Sequence, residues 1–178
     1  MNSEDEIEDL MTAHTTTVFV PAGPEKADLL AEIIRDAWTE EAQVLQLTEQ
    51  AVPRFPAWAN ADNVADWLAE HDIRMYLMYD GETPVACGGH SDDLFNPNKG
   101  WINRISVLTE HQKRGNGRKL VLYLEDCLRA QGKTKVRLGH VTANSKLHEF
   151  YKRLHYVTVE VQHSDTWFMD ITYMEKDL

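Results

Sequence analysis

The chain has 178 residues, of which 43% are hydrophobic and 26% charged, the composition of one globular domain long enough to bury a proper core. Its net charge of −11 opposes nucleic acid as a general partner and is compatible with a cationic acceptor such as an amine, although most acidic surface serves solubility. No apolar run approaches membrane-spanning length, and the acidic start of the chain (Glu4, Asp5, Glu6, Glu8, Asp9) is unlike a secretory signal.

Residues 1–13 are expected to form a solvated acidic tail, with Ile7, Leu10 and Met11 able to make one short helical turn, and residues 14–178 a single domain. Thr15 to Val20 is rich in β-branched residues and predicts a first strand, ended by Pro21-Ala22-Gly23-Pro24. Pro24 suits the first turn of a helix, whose apolar face is Leu30, Ile33, Ile34, Ala37 and Trp38. Between Gln43 and Asn60, Val52, Phe55 and Trp58 alternate with Pro53 and Pro56, which oppose a continuous helix. That segment reads either as a lid over a substrate site or as a loop packed by its own aromatics. Asp62 is expected to cap a second helix that turns Val64, Trp67 and Leu68 inward.

Ile73 to Tyr79 and Val85 to His90 predict a hairpin joined at Asp80-Gly81. A polar loop from Asp92 to Lys99 leads to a strand over Trp101 to Val107, in which Ile105 and Val107 alternate with Arg104 and Ser106. Leu120, Val121, Leu124 and Leu128 then recur at helical spacing, and Gly132 ends that helix. Val136 to Val141 predicts a strand, and Asn144 opens a helix with Leu147, Phe150, Tyr151 and Leu154 on one face. Val157, Val159 and Val161 alternate in a further strand, and Trp167 to Met174 closes the sheet. The order β-α-α-β-β-β-α-β-α-β-β predicts one α/β domain on a mixed sheet. Cys87 and Cys127 sit in apolar settings and read as buried thiols of a reducing, cytoplasmic compartment. His148-Glu149 begins like a zinc motif, but Lys152 stands where its second histidine belongs, so no metal is expected.

The most informative stretch is Gln112-Lys113-Arg114-Gly115-Asn116-Gly117-Arg118-Lys119, at the junction of a strand and a helix. Glycines let the backbone turn tightly and approach a ligand, the first amides of a helix have no internal partners, and the helix dipole adds partial positive charge. With Lys113, Arg114, Arg118 and Lys119 beside them, these groups suit a phosphate or pyrophosphate better than they suit a basic turn that only caps a helix. Leu120 after Lys119 departs from the nucleotide P-loop pattern, and it stands where a dinucleotide fold needs its third glycine. The stretch resembles the acetyl-CoA loop of the GNAT superfamily of N-acetyltransferases, Q/R-x-x-G-x-G/A, on Gln112, Gly115 and Gly117. Asn144, Phe150 and Tyr151 are similar to a second pattern of that family, N-x-x-A-x-x-[FL]-Y-x-x-x-G-F. Leu147 takes the place of its small residue, and His155-Tyr156 takes the place of its Gly-Phe pair, keeping the aromatic but not the glycine turn.

The resemblance implies a mixed, mostly antiparallel sheet of about seven strands flanked by four helices, with two central strands splayed apart around acetyl-CoA. It implies that backbone groups at Ile105, Ser106 and Val107 pair with the pantetheine and acetyl carbonyl. Amides over Gln112, Lys113, Arg114, Gly115, Asn116, Gly117 and Arg118 would hold the pyrophosphate, and Asn144 would reach the cofactor or only cap its helix. It further implies direct attack by a primary amine, belonging to a small molecule or to the lysine or N-terminus of a peptide, and a frequent homodimer. Tyr151 would be the general acid, since a phenol near pKa 10 can protonate a thiolate near roughly 8.5; otherwise it is a core aromatic. The family's carboxylate base is missing, because Asn103, Arg104 and Gly139 occupy its usual strand positions. That leaves His140, His90, Asp92, Asp93 or a water chain, with His140 at the strand end that should face the thioester. The missing carboxylate also leaves open a noncatalytic acyl-CoA-binding module, and the basic loop a nucleotide-binding protein.

Overall fold

A computed structural model describes residues 16–178, apart from the side chains of residues 70 and 71; the expected tail over residues 1–13 lies outside the described residues. A seven-stranded sheet runs in the order β1-β2-β3-β4-β5-β7-β6, from β1 (Thr17–Ala22), β2 (Arg74–Asp80), β3 (Thr83–Asp92), β4 (Lys99–Val107), β5 (Lys135–Val141), β6 (Val157–Ser164) and β7 (Met169–Asp177). Every neighbouring pair is antiparallel except β4 with β5. Helices α1 (Ala27–Val44) and α2 (Ala61–His71) cover one face, and α3 (Asn116–Ala130) and α4 (Ser145–Arg153) the other.

Each face owes its packing to the periodicity of the sequence. Leu120, Val121, Leu124 and Leu128 of α3 are fully buried against Val85, Ile102, Val136 and Leu138, each contributing about 1.5–3 kcal/mol of transfer free energy. Leu30, Ile33 and Ile34 of α1 do the same against Leu77 and Cys87 on the opposite face. One carboxylate lies inside the first cluster. Glu125 of α3 is wholly buried, accepts from the Tyr156 hydroxyl at 2.9 Å and from Lys176 Nζ at 2.8 and 3.0 Å, and pairs with Arg129 at 3.3 Å. A buried charge is tolerated when it is paired and hydrogen-bonded in this way.

Several local expectations are corrected. β1 continues through Pro21 to Ala22; at a sheet edge a proline need not break a ladder. The second helix is capped by Asn60, not Asp62: Asn60 accepts from Asn63 N and Asn63 accepts from Asn60 N, both at 3.0 Å. α1 runs on to Val44, and the segment after it packs as a wall, with Val52, Phe55 and Ala57 buried against Val141 and Ile171. Thr83–Asp92 and Lys99–Val107 are longer strands than the alternation suggests, and Trp167 lies in the turn before β7.

The turn after α4 is kept without its glycine. His155 sits at φ 69, the left-handed region, which costs a side-chain-bearing residue about 1–2 kcal/mol. His155 is exposed, and its side chain makes no hydrogen bond, ion pair or ring contact with another described residue. After the entropic cost of glycine, about 0.5–1 kcal/mol, His155→Gly should stabilise the fold slightly and raise Tm by roughly 2 °C. A lower Tm in a thermal melt would show that the imidazole stabilises the turn by more than its strain.

Candidate active site

The site begins where β4 and β5 part. Only Lys99, Gly100 and Trp101 pair with β5, at Lys135, Val136 and Arg137; β5 then stays with β7 as far as Val141. The backbone edge of β4 from Ile102 to Val107 therefore faces an open wedge. A bulge in β4 sharpens the parting. Two residues, Arg104 and Ile105, stand opposite the single Gly88 between the pairs Cys87–Ser106 and Gly89–Asn103, and Arg104 takes φ 54. Gly88 gives the bulge room: a Cβ there would lie 2.8 Å from Ile105 Cδ1. The bulge puts Asn103 and Arg104, consecutive residues, on the same face of the sheet.

At the end of β4 lies the glycine loop. Gly115 is the N-cap of α3 at φ 83, and Lys113 is also left-handed at φ 60. Turns of this kind bring successive amides to one concave side. The first internal bond of the helix runs from Lys119 N to Gly115 O at 3.0 Å, so the amides of Asn116, Gly117 and Arg118 precede the ladder and lack helical partners. Lys113, Arg114 and Arg118 are exposed around them. Two of the loop's polar side chains brace it: Gln112 Nε2 donates to Val107 O at 3.1 Å, and Asn116 Nδ2 donates to His111 O at 2.9 Å. These two residues have backbone groups, not side-chain amides, to offer an anion. A pyrophosphate fits this loop: free amides, surrounding cations and no side chain at Gly115 or Gly117 to fill the cradle.

Ile105 and Val107 turn their side chains to the α3 face, while Ser106 turns to α1. Its hydroxyl accepts from Trp38 Nε1 at 3.1 Å and donates to Arg104 O at 3.2 Å, locking the bulge. As with Gln112, what Ser106 offers the wedge is backbone.

α4 supplies the rest. Asn144 is the N-cap, accepting from Leu147 N at 2.9 Å, and its amide donates to Glu41 Oε1 of α1 at 3.1 Å. Tyr151 is buried, with 4% of its surface exposed, and its hydroxyl has no hydrogen-bond partner among the described residues. Burial first, and then the nearby charge of Glu41, pushes its pKa well above the usual phenol range, so the group is a protonated donor throughout the neutral range. His140 lies beside it, ring centroids 6.2 Å apart. His140 Nδ1 is 2.8 Å from Val141 O and Nε2 is 3.1 Å from His148 Nδ1. A carbonyl only accepts, so Nδ1 carries the proton and Nε2 presents its lone pair to His148. Burial lowers the His140 pKa, keeping the ring neutral.

The other proton acceptors considered from sequence stand elsewhere. His90 stacks on Tyr76 with both nitrogens unpartnered and a pKa lowered to about 4, chiefly by burial. Asp92 pairs with Lys133, and Asp93 accepts from Trp101 Nε1 at 2.9 Å. Glu41 was missed by the sequence reading. Burial raises its pKa against the lowering effect of Asn144, and nothing in the sequence links it to a residue 103 positions away.

On the α1 and α2 face the wedge opens into a cleft of about 250 Å³, lined by Trp38, Trp67, Trp101, Asn103, Arg104 and Trp167 among others. A wider cavity of about 730 Å³ adjoins it across Trp167, bounded by Leu45, Leu47, Ala51 and Val52 of the segment after α1 and by Thr142 and Ala143 before α4. The packed segment at residues 43–60 thus walls a cavity at the end of β5.

The profile of the acetyltransferase (GNAT) family matches residues 29–156, which contain the glycine loop and Tyr151. No curated protein matches the sequence significantly. Among solved structures, an acetyltransferase from Thermus thermophilus superposes with a TM-score of 0.74 at 17% identity, covering 93% of this chain and 99% of that one. The PaiA N-acetyltransferase from Thermoplasma acidophilum, in complex with coenzyme A, gives 0.71 at 17% identity over 92% and 99%. The putative acetyltransferase YncA from Salmonella typhimurium, with its cofactor acetyl-CoA, gives 0.65 at 19% identity over 91% and 94%. At these identities the likeness is one of fold; the profile match over most of the chain, together with the parted strands and the glycine loop, places this protein in the GNAT acetyltransferase family.

Proposed function

We propose that the protein transfers an acetyl group from acetyl-CoA to a primary amine, on a small molecule or on a lysine or N-terminus of a peptide, by direct attack. The observation that carries this reading is the continuity of the site: unpaired amides at the start of α3, an open backbone edge along β4, and an unpartnered phenol on α4. Two relatives of the same fold hold coenzyme A or acetyl-CoA. Amides from Gln112 to Arg118, with the Lys113, Arg114 and Arg118 side chains, would hold the pyrophosphate, and the backbone of Ile105, Ser106 and Val107 the pantetheine arm. Asn144 fixes the start of α4 and so the place of Tyr151.

Acetyl-CoA supplies the acyl group as a thioester, whose carbon–sulfur bond breaks as the amine nitrogen bonds to the acyl carbon. The Tyr151 hydroxyl donates to the departing sulfur. An ammonium near pKa 10.4 must first lose a proton; His140 receives it through His148, whose Nδ1 hydrogen shifts to His140 Nε2 as His148 Nε2 takes up the proton of the amine, with the Glu41 carboxylate the other proton acceptor beside Tyr151.

Gly117→Asp tests the loop. A Cβ at Gly117 would lie 3.4 Å from Phe150 Cζ, ordinary contact, so the fold should hold while a carboxylate is placed against the phosphates. Calorimetry should show at least about a tenfold loss of CoA affinity, on the order of 1.4 kcal/mol, with a thermal melt that remains cooperative. Unchanged affinity would remove the loop from the site. Release of free CoA thiol from acetyl-CoA across a panel of amines tests the transfer itself, and binding without release from any amine would favour a noncatalytic acyl-CoA-binding module.

A further inference from the structure

The cleft on the α1 and α2 face contains a cation with no counter-charge. The Arg104 guanidinium lies 4.9 Å from the Trp67 ring centroid and 5.7 Å from that of Trp167, half-buried between them. Among the described residues it makes no hydrogen bond or ion pair with a carboxylate. Burial alone lowers its pKa, to about 10, which leaves it charged at neutral pH. The neighbouring Arg137 shows what this protein does with an arginine it holds for structure. It too lies over two rings, 5.1 Å from Trp101 and 4.6 Å from Tyr173, but it is paired with Glu160 and Glu175. A chain with 29 acidic and 18 basic residues had acids in excess to pair with Arg104. Desolvating an arginine without a partner is costly, and the bulge that turns it into the cleft makes the orientation a property of the backbone.

We propose that Arg104 is the specificity-determining residue of the acceptor site, and that the acceptor is a small amine bearing a carboxylate and an apolar body, of which an amino acid with a hydrophobic side chain is the simplest. This rests on the acetyltransferase reading above and names its substrate class. A planar guanidinium matches a carboxylate in two parallel hydrogen bonds. One unpaired cation neutralises one carboxylate, whereas a phosphate dianion would remain half-compensated. The walls of Trp38, Trp67, Trp101 and Trp167 suit an apolar body. At about 250 Å³ the cleft around Arg104 is below the usual range of about 300–1,000 Å³ for drug-sized ligands, a size that suits a single amino acid. Asn103 beside Arg104 donates its amide to Ser91 Oγ at 3.1 Å, which fixes the side chain and leaves its Oδ1 as an acceptor at the cleft. A purely cationic amine, with which the net charge is also compatible, would place an ammonium against Arg104 with nothing to offset the repulsion.

The test compares L-phenylalanine with L-phenylalaninamide and 2-phenylethylamine, which share the ring and the amine and lack the carboxylate. Binding to the CoA complex is measured by calorimetry, and acetyl transfer by thiol release. The amino acid should bind at least about tenfold more tightly than either analogue and show the higher kcat/KM. In Arg104→Gln that preference should vanish, with CoA affinity unchanged, and Arg104→Lys should restore part of it. The wild-type comparison needs no variant, so a poorly folded Arg104→Gln would not rescue the proposal. Equal binding of acid and amide, or no binding of the acid, overturns the proposal, even if the protein acetylates other amines efficiently. A carboxylate preference in binding that depends on Arg104, without transfer to any amine, sustains the specificity assignment and overturns the transfer reading instead.

Discussion

Tyr151→Phe should lower kcat by at least about tenfold while CoA affinity changes little. The substitution keeps the ring, which packs at 5.1 Å from Phe150, 5.7 Å from Tyr156 and 6.2 Å from His140, so α4 should stay in place. What is lost is a hydroxyl that bonds to no other described residue, and its removal therefore strands no partner. The group matters only when negative charge appears on the departing sulfur. A donor positioned for that moment is typically worth about a hundredfold or more. Because its pKa is raised by burial and by Glu41, the phenol remains protonated through neutral and mildly alkaline pH, so the wild-type advantage should persist there. A fall in kcat and kcat/KM together, with unchanged CoA titration, identifies an interaction made in the transition state. Wild-type turnover in Tyr151→Phe would leave this residue a core aromatic and no more.

Glu125→Ala should be the most destabilising single change in the α3 face, by about 3–5 kcal/mol. The carboxylate is wholly buried and holds Tyr156 from the turn after α4, Lys176 from β7 and Arg129 from its own helix. Truncation leaves the Lys176 ammonium and the Tyr156 hydroxyl without their acceptor, and each unsatisfied buried group carries its full desolvation cost. For a domain of this length the loss corresponds to a Tm lower by roughly 10 °C. Tyr156→Phe removes one donor and should cost about 1.5–3 kcal/mol. Adding it to Glu125→Ala should cost much less than it does alone, because the acceptor is already gone. Urea melts of the two single variants and the double variant would check this. A Glu125→Ala variant within about 1 kcal/mol of wild type would mean that water takes the place of the carboxylate, as at a solvated surface charge.

The site's chemistry divides between what one segment can do and what requires two. The glycine loop was legible because every group in it is contiguous: the glycines, the cations and the first turn of the helix follow one another, and local sterics fix where the amides point. The alternation of Ile105 and Val107 against Arg104 and Ser106 likewise survived intact. What the Gln112, Ser106 and Asn116 side chains do was not legible, since each bonds to a backbone carbonyl or an indole whose position depends on how strand, loop and helix meet.

By itself, the sequence determined the order and type of the elements, the strand–loop–helix junction that suits a pyrophosphate, and the aromatic face that carries Tyr151. These follow from hydrophobic period and from glycine and capping chemistry, which act over a few residues. Only the tertiary structure decided which strands adjoin, with β7 inserted between β5 and β6, and where β4 leaves β5. It alone brought Glu41 to Asn144 and offset β4 by one residue against β3, so that Asn103 and Arg104 share the cleft. It also kept a left-handed turn on His155 where the motif has glycine. The reason is the same in each case: periodicity states which face a residue takes, whereas a strand's neighbour, a bulge's position and a tolerated strain are set by the balance of contacts between segments far apart in the chain.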